Sequence, residues 1–401
     1  MSLAFLLGAL GPSCSRNASN VILITLDTTR ADRFGCYGNP APTTPNFDQL
    51  AREGARFDLA VSAAAVTPVS HASILTGLYP YQHGLRVLYA GSSFRLPDTV
   101  PTLATVLHEA GWHTAAFLSS FTVSDYFGFK RGFEVFDAGL RGPTDQVMTP
   151  AGDGTWKWDV TTNQRRSDET TGRALDWVGR GRRPFFLWIH YWDPHDDVLV
   201  PPAEFISRFD NGDGTEDQRK IKLYDAEIAF VDSQFGRLID SLKRSGDYDK
   251  TVFAVVADHG EGLGDHGWWH HRILYQEQIR LPLILRAPGW PKGKAVGELV
   301  RSIDIFPTIL DAVGVASPPR VEGRSLRDLI EGKPEPPRTA YADALNLFDL
   351  NAKMLEKRPN DDLLFCTHPP RRRACCPTSG RAEDWWNGLS VRDRTKRRSS
   401  G

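Results

Sequence analysis

The chain has 401 residues, enough for one large domain or two smaller ones, and its 41% hydrophobic and 24% charged residues are ordinary for a globular protein. Its 48 basic and 49 acidic side chains leave a formal net charge of -1, so we expect no nucleic-acid partner and no charge-driven membrane binding. None of the five cysteines has the paired spacing of a zinc site, and their odd number predicts no regular disulfide framework.

The N-terminus begins with a short apolar run, Leu3 to Leu10, far below the roughly 20 residues that a membrane helix needs. Its length is typical of a signal-peptide core, and Cys14 after Gly-Pro-Ser resembles a bacterial lipoprotein acceptor. We therefore predict a signal or lipoprotein segment over residues 1–18, export, and a lipid anchor at Cys14. No Lys or Arg precedes the run, so the alternative is a frayed N-terminus or a misplaced start codon, which leaves a cytoplasmic location open.

Apolar runs alternate with amphipathic stretches along the chain and predict its strands and helices. In chain order these are a strand at Asn20–Leu26, a helix at Thr44–Glu53, a strand at Arg56–Val61, a short helix at Ser70–Leu75 opened by Thr67 and Pro68, a helix at Thr102–Ala110, a strand at His113–Leu118, a helix at Thr170–Gly179, a strand at Pro184–His190, a long helix from about Asp217 to Arg244, strands at Thr251–Ala257 and Leu281–Arg286, and a helix at Ile303–Val313. Residues 119–165 have little periodicity and are expected to cross the active face.

This alternation predicts an α/β fold with a doubly wound, mostly parallel sheet flanked by helices. In such sheets, ligands bind beyond the carboxyl ends of the strands. Polar residues follow three of the predicted strands: Asp27, the His190 to His195 segment, and the Asp258-His259 pair. We therefore expect these three groups to meet at one edge of the sheet.

Thr67 and Pro68 form a good helix start, with Thr at the N-cap and Pro at the first helical position. The simplest interpretation is that Thr67 only caps the helix. The same position, however, places a hydroxyl at a helix N-terminus, where backbone N–H groups and the helix dipole favour a phosphate or sulfate ester.

Asp258 and His259 follow a buried strand directly, and Asp27 ends the first strand in the same way. These three side chains, together with the Thr67 oxygen, would suit a divalent cation, either calcium, zinc, magnesium or manganese. Such a cation would lower the pKa of the hydroxyl and bind a non-bridging ester oxygen. Histidines near the same strand ends, including His195, His270 and His271, are candidates to protonate the leaving group or to hold the anion.

Several stretches, taken together, resemble the sulfatase family of the alkaline phosphatase superfamily. They are NVILITLDTTRADRFGCYG followed by TPNFDQLAREG, then VTPVSHASILTGLYPYQHG, then DHGEGLGDHG followed by LYQEQIRLPLILRAPG, and finally RSIDIFPTILDAVGV. The resemblance covers residues 20–335 in order, and we take this span as the catalytic domain. It implies the alkaline phosphatase-like fold and an ester hydrolase.

The resemblance assigns roles by position. Asp27, Asp258 and His259 match metal ligands, whereas Thr28 stands where many sulfatases have a second ligating Asp. Counting back from Leu75-Thr76-Gly77 puts Thr67 at the nucleophile and His71 at the position of the usual Arg. In the second half, His195 matches a substrate-binding His. His271 aligns approximately with a substrate-binding Lys, and His270 is the better match in some relatives that contain Thr.

Two departures from the sulfatase pattern change the expected chemistry. Sulfatases of the usual kind convert a signature Cys or Ser to formylglycine, and Thr67 cannot become that aldehyde, so we expect no formylglycine. Thr67 instead resembles the nucleophile of relatives that attack phosphorus directly: phosphodiesterases, nucleotide pyrophosphatases and phosphoglycerol transferases. His71 in place of Arg removes a fixed cation, which a second metal or another His could replace.

The C-terminal part departs from the family as well. Residues 336–365 look like the start of the small C-terminal subdomain that sulfatases carry, and residues 366–401 show no helix or strand period. We expect this tail to be disordered or frameshifted, with the subdomain missing or incomplete; the alternative is a basic interaction tail.

We therefore predict metal-dependent hydrolysis of a phosphate mono- or diester through Thr67. A sulfuric ester hydrolase is the close alternative. An alternative of another class is a catalytically impaired anion-binding protein, against which the retained Asp27, Asp258 and His259 argue. A phosphoglycerol transferase would need a membrane anchor, which the sequence offers only through Cys14.

Overall fold

The computed structural model describes residues 19–86, 95–139, 148–150, 156–158, 164–195 and 199–344. The predicted N-terminal segment with Cys14, part of the 119–165 stretch, and everything after residue 344 lie outside this range. None of the described helices combines the length and the apolar composition that a membrane span requires.

The strands within the described residues are β1 (Asn20–Leu26), β2 (Ala55–Val61), β3 (His113–Leu118), β4 (Val135–Asp137), β5 (Met148–Pro150), β6 (Trp156–Trp158), β7 (Phe185–Tyr191), β8 (Thr251–Ala257), β9 (Arg280–Leu281), β10 (Leu283–Arg286) and β11 (Lys294–Arg301). The α-helices are α1 (Pro45–Glu53), α2 (Thr67–Thr76), α3 (Pro80–His83), α4 (Leu103–Glu109), α5 (Ser167–Val178), α6 (Ala203–Phe209), α7 (Glu216–Ser245), α8 (Gln276–Ile279), α9 (Ile305–Val313) and α10 (Arg327–Ile330). The sheet and its helices thus fall within the predicted catalytic domain.

The main sheet has the strand order β11-β2-β10-β8-β1-β7-β3-β4, with β9 paired to β2 and with β5 and β6 forming a separate pair. Strand β1 pairs in parallel with both β7 and β8, and β7 pairs in parallel with β3. Strand β10 is antiparallel to β2 and β8. The predicted α/β fold with a mostly parallel sheet flanked by helices is therefore confirmed.

The three central strands β1, β7 and β8 are buried at every position. Continuous apolar runs such as Asn20–Leu26 are typical of strands covered on both faces by helices, which is why these strands could be predicted from the sequence. Because burial of apolar surface is the main favourable term in folding, the central strands fix the frame on which the polar residues at their ends are held.

Some boundaries differ from the prediction. The predicted strand at Leu281–Arg286 is two short strands, because Pro282 between them has no N–H to donate to a ladder. Strands β4, β5, β6 and β11 were not predicted. Strand β11 lies at the sheet edge and its first six residues are mostly exposed, so it lacks the apolar run of a central strand.

Candidate active site and metal centre

The carboxyl ends of β1, β7 and β8 meet where the chain leaves the sheet. In the pairing register, Thr25 lies opposite His190 and Leu26 lies opposite Ala257. The backbone continues this pairing by one step, since the Asp27 amide donates to the Tyr191 carbonyl at 2.9 Å and the Asp258 amide donates to the Leu26 carbonyl at 3.2 Å. Two acidic side chains from distant parts of the sequence are thereby held side by side.

Asp27, Asp258 and His259 form a buried cluster in which one potential ligand atom of each lies within 4.8 Å of the others. All three residues have no exposed surface. Both carboxylate oxygens of Asp27 and Oδ2 of Asp258 make no hydrogen bond among the described residues. Buried carboxylate oxygens without donors are costly unless a cation pairs with them, so these residues fit a divalent metal.

The ring of His259 is oriented as a metal ligand would be. Its Nδ1 lies 3.0 Å from the carbonyl oxygen of Gly260, which can only accept, so Nδ1 carries the proton. Nε2 then presents its lone pair 3.4 Å from Oδ2 of Asp258. Burial lowers the pKa of His259 well below its usual value, and the ring is therefore neutral, as metal ligation requires.

The two carboxyl groups destabilise each other in the absence of a cation. Burial raises the pKa of Asp27 well above its usual value, and nearby Glu261 raises it further. Burial likewise raises the pKa of Asp258, and the charge of Asp27 adds to this effect. A divalent ion between them would offset both contributions, because it favours the ionised forms.

Thr67 lies at the first position of α2, not at its N-cap as the sequence had predicted. Val66 is the N-cap residue, Pro68 follows at the second helical position, and no side chain caps the helix. The Thr67 hydroxyl is 3.3 Å from Nε2 of His259. The capping interpretation is therefore wrong, and the hydroxyl belongs to the polar cluster.

Ser70 of α2 and Ser62, just after β2, both contact the strand end that carries Asp258. The hydroxyls of Ser62 and Ser70 each donate to the backbone carbonyl of Asp258 at 2.6 Å. Both serines are buried. The Thr67 end of the helix is thereby fixed against Asp258, and Ser62 and Ser70 are residues of the candidate site that the sequence analysis missed.

His71 lies one turn after Thr67 and is fully buried. Its Nδ1 is 2.8 Å from the Thr67 carbonyl oxygen and 3.5 Å from Oδ2 of Asp258. Its ring meets that of His190 edge-on, with 4.8 Å between the centroids. Burial lowers the pKa of His71 well below its usual value. His71 is therefore a neutral ring and does not supply the fixed positive charge of an Arg.

The remaining predicted histidines separate into two groups. The ring of His271 stacks on that of His259 at 4.5 Å and lies 5.1 Å from that of His195, which in turn stacks on Trp192 at 3.8 Å. His270 is exposed, and its ring contacts Trp268. His195 and His271 therefore lie at the cluster, whereas His270 lies at its exposed edge.

Glu261 was not singled out from the sequence, although it stands within the DHGEG motif. It is buried, accepts a hydrogen bond from the Gly262 amide at 3.0 Å, and lies 3.4 Å from Nδ1 of His271. Burial raises the pKa of Glu261 to about 8. A glutamate two positions after a candidate metal-ligand His is a signal that could have placed it at the site.

Thr28 occupies an unusual backbone conformation next to Asp27, with a φ of +46°. Its amide donates to Oδ1 of Asp258 at 3.1 Å, and its carbonyl accepts a hydrogen bond from the Tyr224 hydroxyl at 2.7 Å. Strained backbone of this kind is kept where the surroundings determine it. Thr28 contributes through its backbone, and its hydroxyl oxygen makes no hydrogen bond among the described residues.

Comparison with known proteins identifies the family. The family model described as Sulfatase matches residues 19–315, most of the chain. This protein belongs to the sulfatase family. Family membership makes it an ester hydrolase, in keeping with the predicted fold and with the buried acid and histidine groups.

Its sulfatase-family relatives include enzymes with different names. An arylsulfatase of Clostridium perfringens is 28% identical, and the match covers 78% of each protein. The multifunctional alkaline phosphatase superfamily protein PehA of Trinickia caryophylli is 28% identical over 80% of this chain and 79% of that protein. A solved phosphonate monoester hydrolase from Silicibacter pomeroyi is 26% identical, with a TM-score of 0.62 over 79% of this chain and 77% of that one.

Proposed function

We propose that this sulfatase-family hydrolase cleaves phosphate mono- or diesters with Thr67 as its nucleophile. The observation that carries the proposal is a threonine hydroxyl 3.3 Å from Nε2 of His259, beside a buried pair of carboxylates. A secondary alcohol cannot be converted to the formylglycine aldehyde, so the hydroxyl itself has to attack. Similarity to PehA and to a phosphonate monoester hydrolase supports phosphorus as the target.

A divalent cation, either calcium, zinc, magnesium or manganese, would be held by Asp27, Asp258, His259 and the hydroxyl oxygen of Thr67. When bound, it supplies Lewis acidity to the ester oxygen and lowers the pKa of the hydroxyl. The orphaned oxygens of Asp27 and the lone pair on Nε2 of His259 support this ligand set.

The reaction divides into two displacements at phosphorus. Thr67 gives up its hydroxyl proton to solvent, and its oxygen forms a bond to phosphorus as the bond to the leaving-group oxygen breaks. That oxygen takes up a proton from solvent while the neutral ring of His195 or His271 donates a hydrogen bond to it, and the alcohol departs. Water then attacks the phosphothreonine, which releases the phosphate product and restores the hydroxyl.

His71 would act through the backbone of Thr67. Its Nδ1–H donates to the carbonyl of Thr67, so it holds the backbone of the first helical turn against the cluster. The helix N-terminus, with its unpaired amides, would bind the non-bridging oxygens of the ester.

A sulfate ester is the second candidate substrate, favoured by the relationship to an arylsulfatase. The site would then have to direct a threonine oxygen to sulfur without the formylglycine hydrate. The two candidates share the metal site and differ in the attacked atom, so substrate comparison separates them.

The test is hydrolysis of nitrophenyl phosphate, bis-nitrophenyl phosphate, a phenylphosphonate ester and nitrophenyl sulfate by the purified full chain, with each candidate metal ion. Thr67→Ala and Thr67→Ser are measured beside it. Cleavage of the phosphorus esters that survives in Thr67→Ser and is lost in Thr67→Ala supports the proposal. Cleavage of the sulfate alone would exclude it, and absence of turnover with every ion would favour an impaired anion-binding protein.

We also propose that the protein is exported, with a lipid anchor at Cys14. The apolar run before Cys14 is the supporting feature. Expression in a bacterial host with a labelled fatty acid would test it: label should enter the wild-type protein and not Cys14→Ser.

A further inference from the structure

A line of buried polar side chains lies behind Asp27, on the side of β7. The indole N–H of Trp188 donates to the hydroxyl oxygen of Thr25 at 2.9 Å. That hydroxyl lies 3.1 Å from Nδ1 of His190, and Nε2 of His190 lies 3.4 Å from Oδ2 of Asp27. All four residues have no exposed surface. The line thus ends on a carboxylate of the proposed metal site.

The donors and acceptors along this line favour a proton on Nε2 of His190. An indole N–H can only donate, so the Thr25 oxygen accepts from Trp188 and keeps its own hydrogen, which can be donated to Nδ1 of His190. With Nδ1 as the acceptor of that hydrogen, the ring proton is on Nε2, which faces the carboxylate of Asp27.

The Nε2–H group of His190 lies near Oδ2 of Asp27, which can accept a hydrogen bond. It makes no hydrogen bond within the described residues, and neither do the two oxygens of Asp27. The 3.4 Å separation is a few tenths of an ångström longer than an ordinary N–H···O bond. A small rotation of the carboxylate would therefore complete the bond and direct the other oxygen, Oδ1, towards the cluster.

We propose that His190 is a positioning residue for Asp27, with Thr25 and Trp188 fixing its tautomer, an inference that rests on the proposed metal site. A histidine kept only for packing would leave a buried N–H without a partner, which costs more than an apolar side chain of the same size. Residues that donate to a ligating carboxylate orient it and raise the affinity for the ion.

The experiment measures ion binding to the full chain after chelation, without substrate. Zn²⁺ and Mn²⁺ are titrated against a competing fluorescent chelator, and Co²⁺ is followed by its visible absorption spectrum. Three variants carry the comparison: His190→Phe removes the N–H, His190→Gln offers an N–H at nearly the same reach, and Thr25→Val removes only the hydroxyl. His83→Phe is the control, because His83 is equally buried and donates to Ser73 at 3.1 Å instead.

We expect His190→Phe to weaken ion binding by about 10- to 100-fold and to change the Co²⁺ spectrum. Thr25→Val should weaken binding in the same direction by less, and His190→Gln should recover part of it. His83→Phe should keep the wild-type affinity, even where it lowers the melting temperature.

Wild-type affinity in both His190→Phe and Thr25→Val would overturn the inference while leaving the metal site intact. If His190→Phe does not fold, Thr25→Val alone decides by the same criterion. If the wild-type chain binds none of the three ions, the metal site of the proposed function fails, and the inference fails with it.

Discussion

The hydroxyl of Thr67 and Nε2 of His259 are 3.3 Å apart although 192 positions separate them in the chain. Thr67 comes from the start of α2 and His259 from the end of β8, and both are buried. The contact therefore depends on how the helix packs on the sheet. It also places the Thr67 hydroxyl beside the buried acidic cluster, as the proposed function requires.

Substitution of Thr67 tests whether its hydroxyl is the nucleophile. We expect Thr67→Ala to lower kcat for phosphoester cleavage by on the order of 10⁴-fold or more, because no other group can form the covalent intermediate. Thr67→Ser keeps a hydroxyl and should retain measurable turnover. Acid quenching followed by mass spectrometry should detect a phosphate on the peptide that contains Thr67, and its absence during turnover would argue against the covalent route.

Removal of metal should destabilise the protein in a pH-dependent way. The folded-state pKa values of Asp27 and Asp258 are raised above those of the unfolded chain, so the native state binds more protons. The contribution of these two carboxyl groups to the free energy of unfolding of the chelated protein should therefore fall as pH rises. The fall should be seen from about pH 7 upwards, where the histidines are neutral in both the folded and the unfolded states. Urea denaturation across this range measures the slope.

Asp258→Asn provides the matched comparison for that slope. It removes one of the two facing charges, so the chelated variant should be more stable than the chelated wild type at the upper end of the pH range. It should also lose most of the stabilisation that added metal gives the wild type. Asp98→Asn, at an exposed position, should change neither quantity. A pH slope that is identical in wild type and Asp258→Asn would contradict the assignment.

His271 and His270 should differ sharply although they are neighbours. His271 stacks on His259, whereas His270 is exposed at the rim. We expect His271→Ala to lower kcat by about 10²-fold or more on an alkyl phosphate, whose poor leaving group depends on a hydrogen bond to its oxygen. The loss should be smaller on nitrophenyl phosphate, and His270→Ala should have a much weaker effect on both. Equal losses in the two variants would exclude the selective role of His271.

Tyr224 should stabilise the strained turn at Thr28. Its hydroxyl donates to the Thr28 carbonyl at 2.7 Å and accepts from the Arg30 amide at 2.9 Å, and all three residues are buried. Tyr224→Phe leaves both backbone groups without a partner and should lower the free energy of unfolding by about 1–3 kcal/mol. Tyr81→Phe, where the side chain is 53% exposed, is the control and should change it by less than about 0.5 kcal/mol. Urea denaturation with unchanged m-values would measure the difference.

The sequence by itself determined the central strands, the sulfatase family and the segments that carry the site. Strands such as Thr251–Ala257 are continuous apolar runs. A run of this kind can be recognised from local composition, without knowledge of the tertiary contacts. The order of motifs then specified that Asp27, Thr67 and Asp258-His259 belong together, because parallel strands end at one edge.

Only the tertiary structure decided which side chains at that edge touch. It placed the Thr67 hydroxyl 3.3 Å from His259, stacked His271 and not His270 on His259, and put His190 behind Asp27. These contacts join residues far apart in sequence, and their geometry follows from close packing between helix, loop and sheet, for which the sequence has no local signal.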